Sequence, residues 1–142
     1  MLKNIPSILS PDLLKILMEM GHGDEIVIAD GNFPSASVAQ RLVRLDGHGV
    51  PEILEAVLKL FPLDTYVERP VSLMAVAAGD NIQPAIWKQF RKTIQESKEP
   101  FKEFEYVERF ALYERARRAY AVVATGESAL YANIILKKGV VV

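Results

Sequence analysis

The chain contains no cysteine, which excludes a disulfide framework and any thiolate metal site. Histidine is nearly absent as well. His22 and His48 are the only two, and neither lies at a recognised metal-ligand spacing, so a centre built from His22 and Asp24 with His48 as its second imidazole has little behind it. Net charge is almost nil: seventeen Lys plus Arg against eighteen Asp plus Glu leave −1, a balance that supplies no field for gathering nucleic acid or an anionic membrane. No apolar run approaches the ~20 residues that span a bilayer. The opening Met1-Leu2-Lys3-Asn4-Ile5-Pro6 is too polar and too soon broken by proline for a secretory signal. GxGxxG, GxxxxGK[ST], GxSxG and HExxH are all missing, which removes the familiar nucleotide, hydrolase and zincin readings. The expectation is a soluble cytoplasmic protein with no nucleic-acid or membrane partner.

What is present is a chain of 142 residues, half of them hydrophobic, enough for one globular domain over residues 1–142 and too short for two. Ser10-Pro11 reads as an N-cap followed by proline in the first helical turn, with Leu13, Leu14, Leu17 and Met18 as an apolar stripe and Gly21 as the stop. Glu25 to Asp30 (EIVIAD) is a buried strand that delivers a carboxylate at its end. Gly31-Asn32-Phe33-Pro34 breaks it, and a short strand is predicted at Leu42 to Leu45. A second helix starts near Pro51 with Ile53, Leu54, Val57, Leu58 and Phe61 facing the core, and Pro62 stops it. Strands are predicted over Val71 to Ala77, Phe104 to Phe110, Ala119 to Thr125 and Ile134 to Lys137. A third helix runs from Pro84 to about Glu96 with Ile86, Trp87, Phe90 and Ile94 inward. Helices alternate with strands early and strands dominate late, so the fold class is α/β, a single domain with its sheet flanked by helices.

Three groups carry candidate chemistry. His22, between Gly21 and Gly23, brings an imidazole to an open loop where it can give and take a proton near neutral pH, or else helps cap the preceding helix. Asp30 ends an apolar strand and must find donors, either in a ligand's hydroxyls or in an Asx turn onto Asn32. Arg109, Tyr113, Tyr131 and Asn133 form the third group. Tyr131 and Asn133 share a face if that segment is extended, presenting a phenol and an amide to one ligand, whereas each tyrosine alone also fits ordinary packing. Arg115, Arg117, Arg118, Lys137 and Lys138 are interspersed with acids and read as a solvated face or a subunit contact. Trp87 reads as core or interface.

Four segments taken in order, MGHGDEIVIADGNFP (Met20 to Pro34), FPLDTYV (Phe61 to Val67), RFALYERARRAYAVVATGE (Arg109 to Glu127) and LYANIILKKG (Leu130 to Gly139), resemble the L-fucose mutarotase branch of the RbsD/FucU family, nearly end to end. The resemblance implies an RbsD-like fold and acid–base interconversion of sugar anomers without metal or cofactor. It implies His22 as catalytic proton donor, Tyr131 as a second acid or base, and Asp30 and Arg109 as substrate-binding residues. Ala132 and Asn133 would line the sugar site with Tyr131, and Asp64 and Tyr113 would contact the sugar. It also implies a homo-oligomer, a decameric ring with the site at subunit contacts, in which His22 and Tyr131 meet across chains. Ala132 stands where the family pattern LYGN has glycine, a costly change only if that position has positive φ. The competing readings are the sister activity, pyranose–furanose interconversion of D-ribose, a non-catalytic sugar-binding subunit, and a metal-dependent isomerase.

Overall fold

A computed structural model describes residues 1–142. Along the chain run α1 (Pro11–Glu19), β1 (Glu25–Ala29), α2 (Ser35–Val38), β2 (Leu42–Leu45), α3 (Val50–Leu58), β3 (Val71–Met74), α4 (Ile86–Ser97), β4 (Glu105–Val107), α5 (Arg109–Arg118), β5 (Ala121–Thr125) and β6 (Ile134–Lys137). The strands make one six-stranded sheet in the order β2-β5-β1-β6-β3-β4. β1 pairs parallel with β5, β2 with β5 and β3 with β4, whereas β6 runs antiparallel to both β1 and β3. Five strands therefore end at one edge of the sheet, and β6 begins there.

Alternation along β1 explains the three layers. Ile26 and Ile28 join the larger core beneath α1, α3 and α4, while Val27 and Ala29 join the smaller core under α2 and α5. A strand covered on both faces has no polar side, which is why β1 and β5 read as unbroken apolar runs. The hydroxyl of Ser10 accepts from the Leu13 N–H at the start of α1, as its N-cap position predicts. No helix is long and apolar enough to cross a membrane.

Several sequence-based boundaries need correction. Met18 is 85% exposed, and the buried face of α1 is Leu13, Ile16 and Leu17. The strand expected through Ala77 stops at Met74, and the one expected from Phe104 to Phe110 is only Glu105–Val107. From Arg109 the chain is helical. Glu108 caps α5 by accepting the Phe110 and Ala111 N–H groups at 3.0 Å, and Arg115, Arg117 and Arg118 lie in the last turn, where they suit the negative end of the dipole.

Candidate active site

The carboxyl edge of the sheet holds a cleft of about 410 Å³ lined by Asp30 at the end of β1, Met74 and Ala75 at the end of β3, Arg109 and Tyr113 on α5, and Tyr131 and Asn133 before β6. Parallel strands commonly present ligand crevices at this edge, because loops that follow them diverge there. Asn32, Phe33, Ala77, Asp80 and Leu130 complete the lining.

Asp30 is 6% exposed. Burial raises the pKa of its carboxyl, outweighing the backbone hydrogen bonds from Asn32, Ala132 and Phe33 that lower it, and the charge of Glu127 pushes the same way as burial. The Asx turn is present, with the Asn32 N–H donating to Asp30 Oδ1 at 3.0 Å. Of the two sequence alternatives for Asp30 the Asx turn is the one observed, and the carboxyl also lines the cleft. The backbone N–H of Asp30 donates to Asn133 Oδ1 at 2.8 Å, which leaves the Asn133 amide N–H₂ group for other partners. Arg109 and Tyr113 stand one turn apart on α5, and the Arg109 Nε–H donates to the Tyr113 hydroxyl at 3.1 Å.

Tyr131 and Asn133 reach the cleft by a different route from the extended segment that the sequence suggests. Tyr131 has φ 57° and lies outside β6, a left-handed conformation that costs a non-glycine residue about 1 kcal/mol or more. Two contacts hold it there. Its carbonyl accepts the Trp87 indole N–H at 2.8 Å, and its hydroxyl donates to Asp80 Oδ2 at 2.6 Å while accepting the Ala77 N–H at 3.2 Å. Ala132 is fully buried and does not line the cleft. Its side chain is in the larger core, its N–H serves Asp30, and positive φ falls one residue earlier, so alanine in place of glycine is unstrained.

His22 and Asp64 are elsewhere. His22 precedes β1, and the five residues of that strand alone separate it from Asp30 by about 13 Å at ~3.3 Å per residue. Asp64 lies at the same amino edge, its N–H bonded to the Lys137 carbonyl at 3.0 Å. His22 Nε2 and Asp64 Oδ1 are 3.0 Å apart, and the Tyr66 ring is 5.1 Å from the imidazole. Burial opposes the Asp64 charge, but hydrogen bonds from the Tyr66 N–H and His22, with the charges of His22 and Lys137, hold its pKa below the ordinary carboxylate value. The ionised carboxylate only accepts, so Nε2 carries the hydrogen and Nδ1 is the position left for a reacting partner. At the end of α1 the Leu17 and Met20 carbonyls accept from Lys138 Nζ, and the His22 ring is paired with Asp64 instead of with the helix end.

The expected site residues thus fall into two groups at opposite edges of one sheet. Asp30, Arg109, Tyr113, Tyr131 and Asn133 share the cleft, and His22 with Asp64 forms a separate hydrogen-bonded pair. Sequence reasoning passed over Asp80, Met74 and the pinning contact from Trp87. Nothing in the local sequence links Asp80 to a tyrosine 51 residues on.

Fold and cleft define a single-domain α/β protein with a small crevice of donors, acceptors and aromatic rings at the carboxyl edge of its sheet. The sequence matches the RbsD / FucU transport protein family over residues 3–141, and the chain belongs to that family. It is 53% identical to the fucose mutarotase of Mus musculus, over 97% of this chain and 94% of that protein. Among solved structures it superimposes on the fucose mutarotase of Streptococcus pneumoniae in complex with L-fucose with a TM-score of 0.95 and 57% identity, covering 99% of this chain and 100% of the other. It is more distantly similar to Bacillus subtilis RbsD complexed with D-ribose, at TM-score 0.78 and 27% identity over the full length of both.

Proposed function

We propose that this chain is an L-fucose mutarotase, a carbohydrate isomerase that interconverts the α and β anomers of the free sugar by acid–base ring opening and reclosure. The observation that carries the reading is the end-to-end match in backbone, at 57% sequence identity, to a fucose mutarotase solved with L-fucose. The cleft supports it chemically. Asp30 offers a charged acceptor, Arg109 and Asn133 offer donors, and Phe33, Tyr113 and Tyr131 offer ring faces, a set suited to a small polyhydroxylated ring.

Mutarotation needs two proton movements. The anomeric O1–H loses its proton as C1=O1 forms, and the C1–O5 pair moves to O5, which gains a proton. Rotation about C1–C2 and reversal of both steps give the other anomer. In this reading Tyr131 serves O1, His22 serves O5, and Asp30, Arg109, Tyr113 and Asn133 hold the remaining groups; a positioned acid and base contribute about 10²–10⁴-fold.

His22 and Tyr131 of one chain cannot reach one monosaccharide across the sheet, so the working enzyme is taken as a homo-oligomer; that it is a cytoplasmic decameric ring is what the family resemblance implies. The His22–Asp64 edge of one copy completes the cleft of its neighbour. Exposed apolar side chains flank both halves: Tyr66, 76% exposed, beside His22, and Phe110 and Leu130, 66% and 54% exposed, beside the cleft. Large apolar groups left in water on both sides of a divided site are what a subunit contact would cover.

Selective-inversion NMR at the anomeric proton tests the activity on L-fucose, D-ribose, D-galactose and D-glucose. Enzyme-dependent exchange fastest for L-fucose is expected. Exchange fastest between the ring forms of D-ribose would move the assignment to the pyranase activity, and sugar binding without exchange would make the protein a binding subunit.

A further inference from the structure

The hydroxyl of Tyr131 has a single hydrogen, and the structure commits it. It donates to Asp80 Oδ2 at 2.6 Å, and the Ala77 N–H donates to the phenol oxygen at 3.2 Å. A phenol oxygen has two lone pairs, so one stays open. Asp80 lines the same cleft as Asp30, Arg109 and Asn133, and both residues that hold the hydroxyl belong to the loop between β3 and α4. At the other end of the residue the Trp87 indole, from α4, fixes the Tyr131 carbonyl at 2.8 Å. Loop and helix together hold a non-glycine residue at φ 57°. Such a conformation persists only where surrounding contacts over-determine it.

We propose that Asp80 is the proton acceptor behind Tyr131, so that Tyr131 meets the sugar as a base and not as an acid in the opening step. The proposal rests on the catalytic reading of Tyr131 given above. With its hydrogen directed at an acceptor-only carboxylate, the phenol oxygen faces the cleft with a free lone pair. It takes the proton from O1–H while its own proton passes to Asp80 Oδ2. C1=O1 forms, C1–O5 breaks with its electron pair going to O5, and O5 takes the Nδ1 proton of the His22 imidazolium of the adjoining copy, which keeps its Nε2–H on Asp64. On reclosure O5–H returns its proton to His22, Asp80 returns its proton to Tyr131, and Tyr131 protonates O1, so the protein ends as it began. The Ala77 N–H supports the negative charge that builds on the phenol oxygen during the transfer, the role of a preorganised donor. Asp80 acts only through Tyr131 and is a positioning and relay residue.

The test is anomer exchange of L-fucose by selective-inversion NMR on the assembled wild type, Asp80→Asn, Asp80→Glu, Tyr131→Phe and the double variant Tyr131→Phe/Asp80→Asn, with kcat and KM separated and thermal melting as the control for fold. Asp80→Asn is expected to lower kcat by about 10–100-fold with KM changed by less than about twofold, because it removes a proton acceptor and not a sugar contact. Asp80→Glu should recover part of that loss, and the double variant should be no slower than Tyr131→Phe alone, since a relay fails once at either member. A wild-type rate in Asp80→Asn beside a slow Tyr131→Phe would overturn the relay and leave the mutarotase reading standing. A rise in KM alone would make Asp80 a sugar contact, and multiplicative losses in the double variant would make the two residues independent; either result overturns the relay. A Tyr131→Phe enzyme as fast as wild type would remove the base itself and with it the reading on which the relay rests.

Discussion

Asp30→Asn separates sugar recognition from folding. The carboxylate is buried at the end of β1 and accepts the Asn32 backbone N–H at 3.0 Å. A hydroxyl that donates to a charged acceptor is held by about 1.5–3 kcal/mol, against about 0.5–1.5 for a neutral one, so the amide should forfeit about 1–2 kcal/mol of sugar binding, or a roughly 5–30-fold rise in Kd. Folding should change much less. The amide keeps an oxygen for the Asn32 N–H but accepts it less strongly than a carboxylate does, a loss of about 1 kcal/mol, and it also removes a charge whose burial is unfavourable.

The pH dependence has a definite sign. Burial raises the folded pKa of Asp30 above its unfolded value, so its contribution to stability is fully present below the unfolded pKa and is lost as pH rises through the folded one. Asparagine lacks this dependence. At neutral pH the variant should melt close to wild type, and on acidification through the Asp30 pKa wild type should gain stability relative to it. Titration of L-fucose into each protein, followed by ligand NMR across that pH range, should show the affinity gap closing as Asp30 protonates. Equal affinities at neutral pH would refute a sugar-binding role and leave Asp30 as the acceptor of its Asx turn.

Other perturbations give independent checks. His22→Ala should abolish catalysed anomer exchange while circular dichroism and melting stay near wild type, because the imidazole is exposed and outside both cores; unchanged exchange would remove His22 from the mechanism. Asp64→Asn should lower exchange by about tenfold or more, since an amide no longer fixes the hydrogen on Nε2; an unaffected rate would show that the pairing does not orient the imidazole. Arg115 bridges Glu25 and Glu105 with its side chain 19% exposed, so Arg115→Met should destabilise by about 1–3 kcal/mol by stranding two carboxylates, less than a fully buried pair because Glu105 is half exposed. Burial opposes the Glu105 charge, but bonds from Ser72 and Arg115 lower its pKa overall, so this support is present above the unfolded Glu pKa and disappears as pH falls through the folded one. Thermal melts against pH should show the variant and wild type converging in acid, and a constant gap would contradict the assignment.

The legible parts of the molecule are those in which one segment decides its own structure. β6 falls on Ile134 to Lys137 as its β-branched run predicts, and the start of α3 follows from periodicity and proline chemistry, although the helix ends at Leu58 and leaves Phe61 and Pro62 outside it. α5 escaped because only Leu112 and Ala116 are buried on it, a stripe too narrow to register as a helix beside the strand-like residues that precede it. The candidate site was proposed from sequence as a set of residues, and its arrangement was illegible. Ordered segments identify His22, Asp30, Arg109, Tyr131 and Asn133, but only the pairing of β1 with β5 and β6 reveals that the histidine stands at the opposite edge from the rest. Positive φ at Tyr131 and the contacts from Trp87 and Asp80 that maintain it depend on residues 44 and 51 positions away, beyond any local signal.

The division of the site between two edges can be tested directly by complementation. His22→Ala lacks the acid but keeps an intact cleft, and Tyr131→Phe has an impaired cleft but keeps the acid. If each working site joins the His22 edge of one copy to the cleft of another, assemblies formed by co-expressing the two variants in equal amounts should contain about a quarter of competent sites, each pairing an intact acid with an intact cleft. Selective-inversion NMR with L-fucose is expected to find close to a quarter of the wild-type exchange rate in the mixed assemblies and almost none in either variant alone. Mixed assemblies of normal size with no recovered exchange would contradict it.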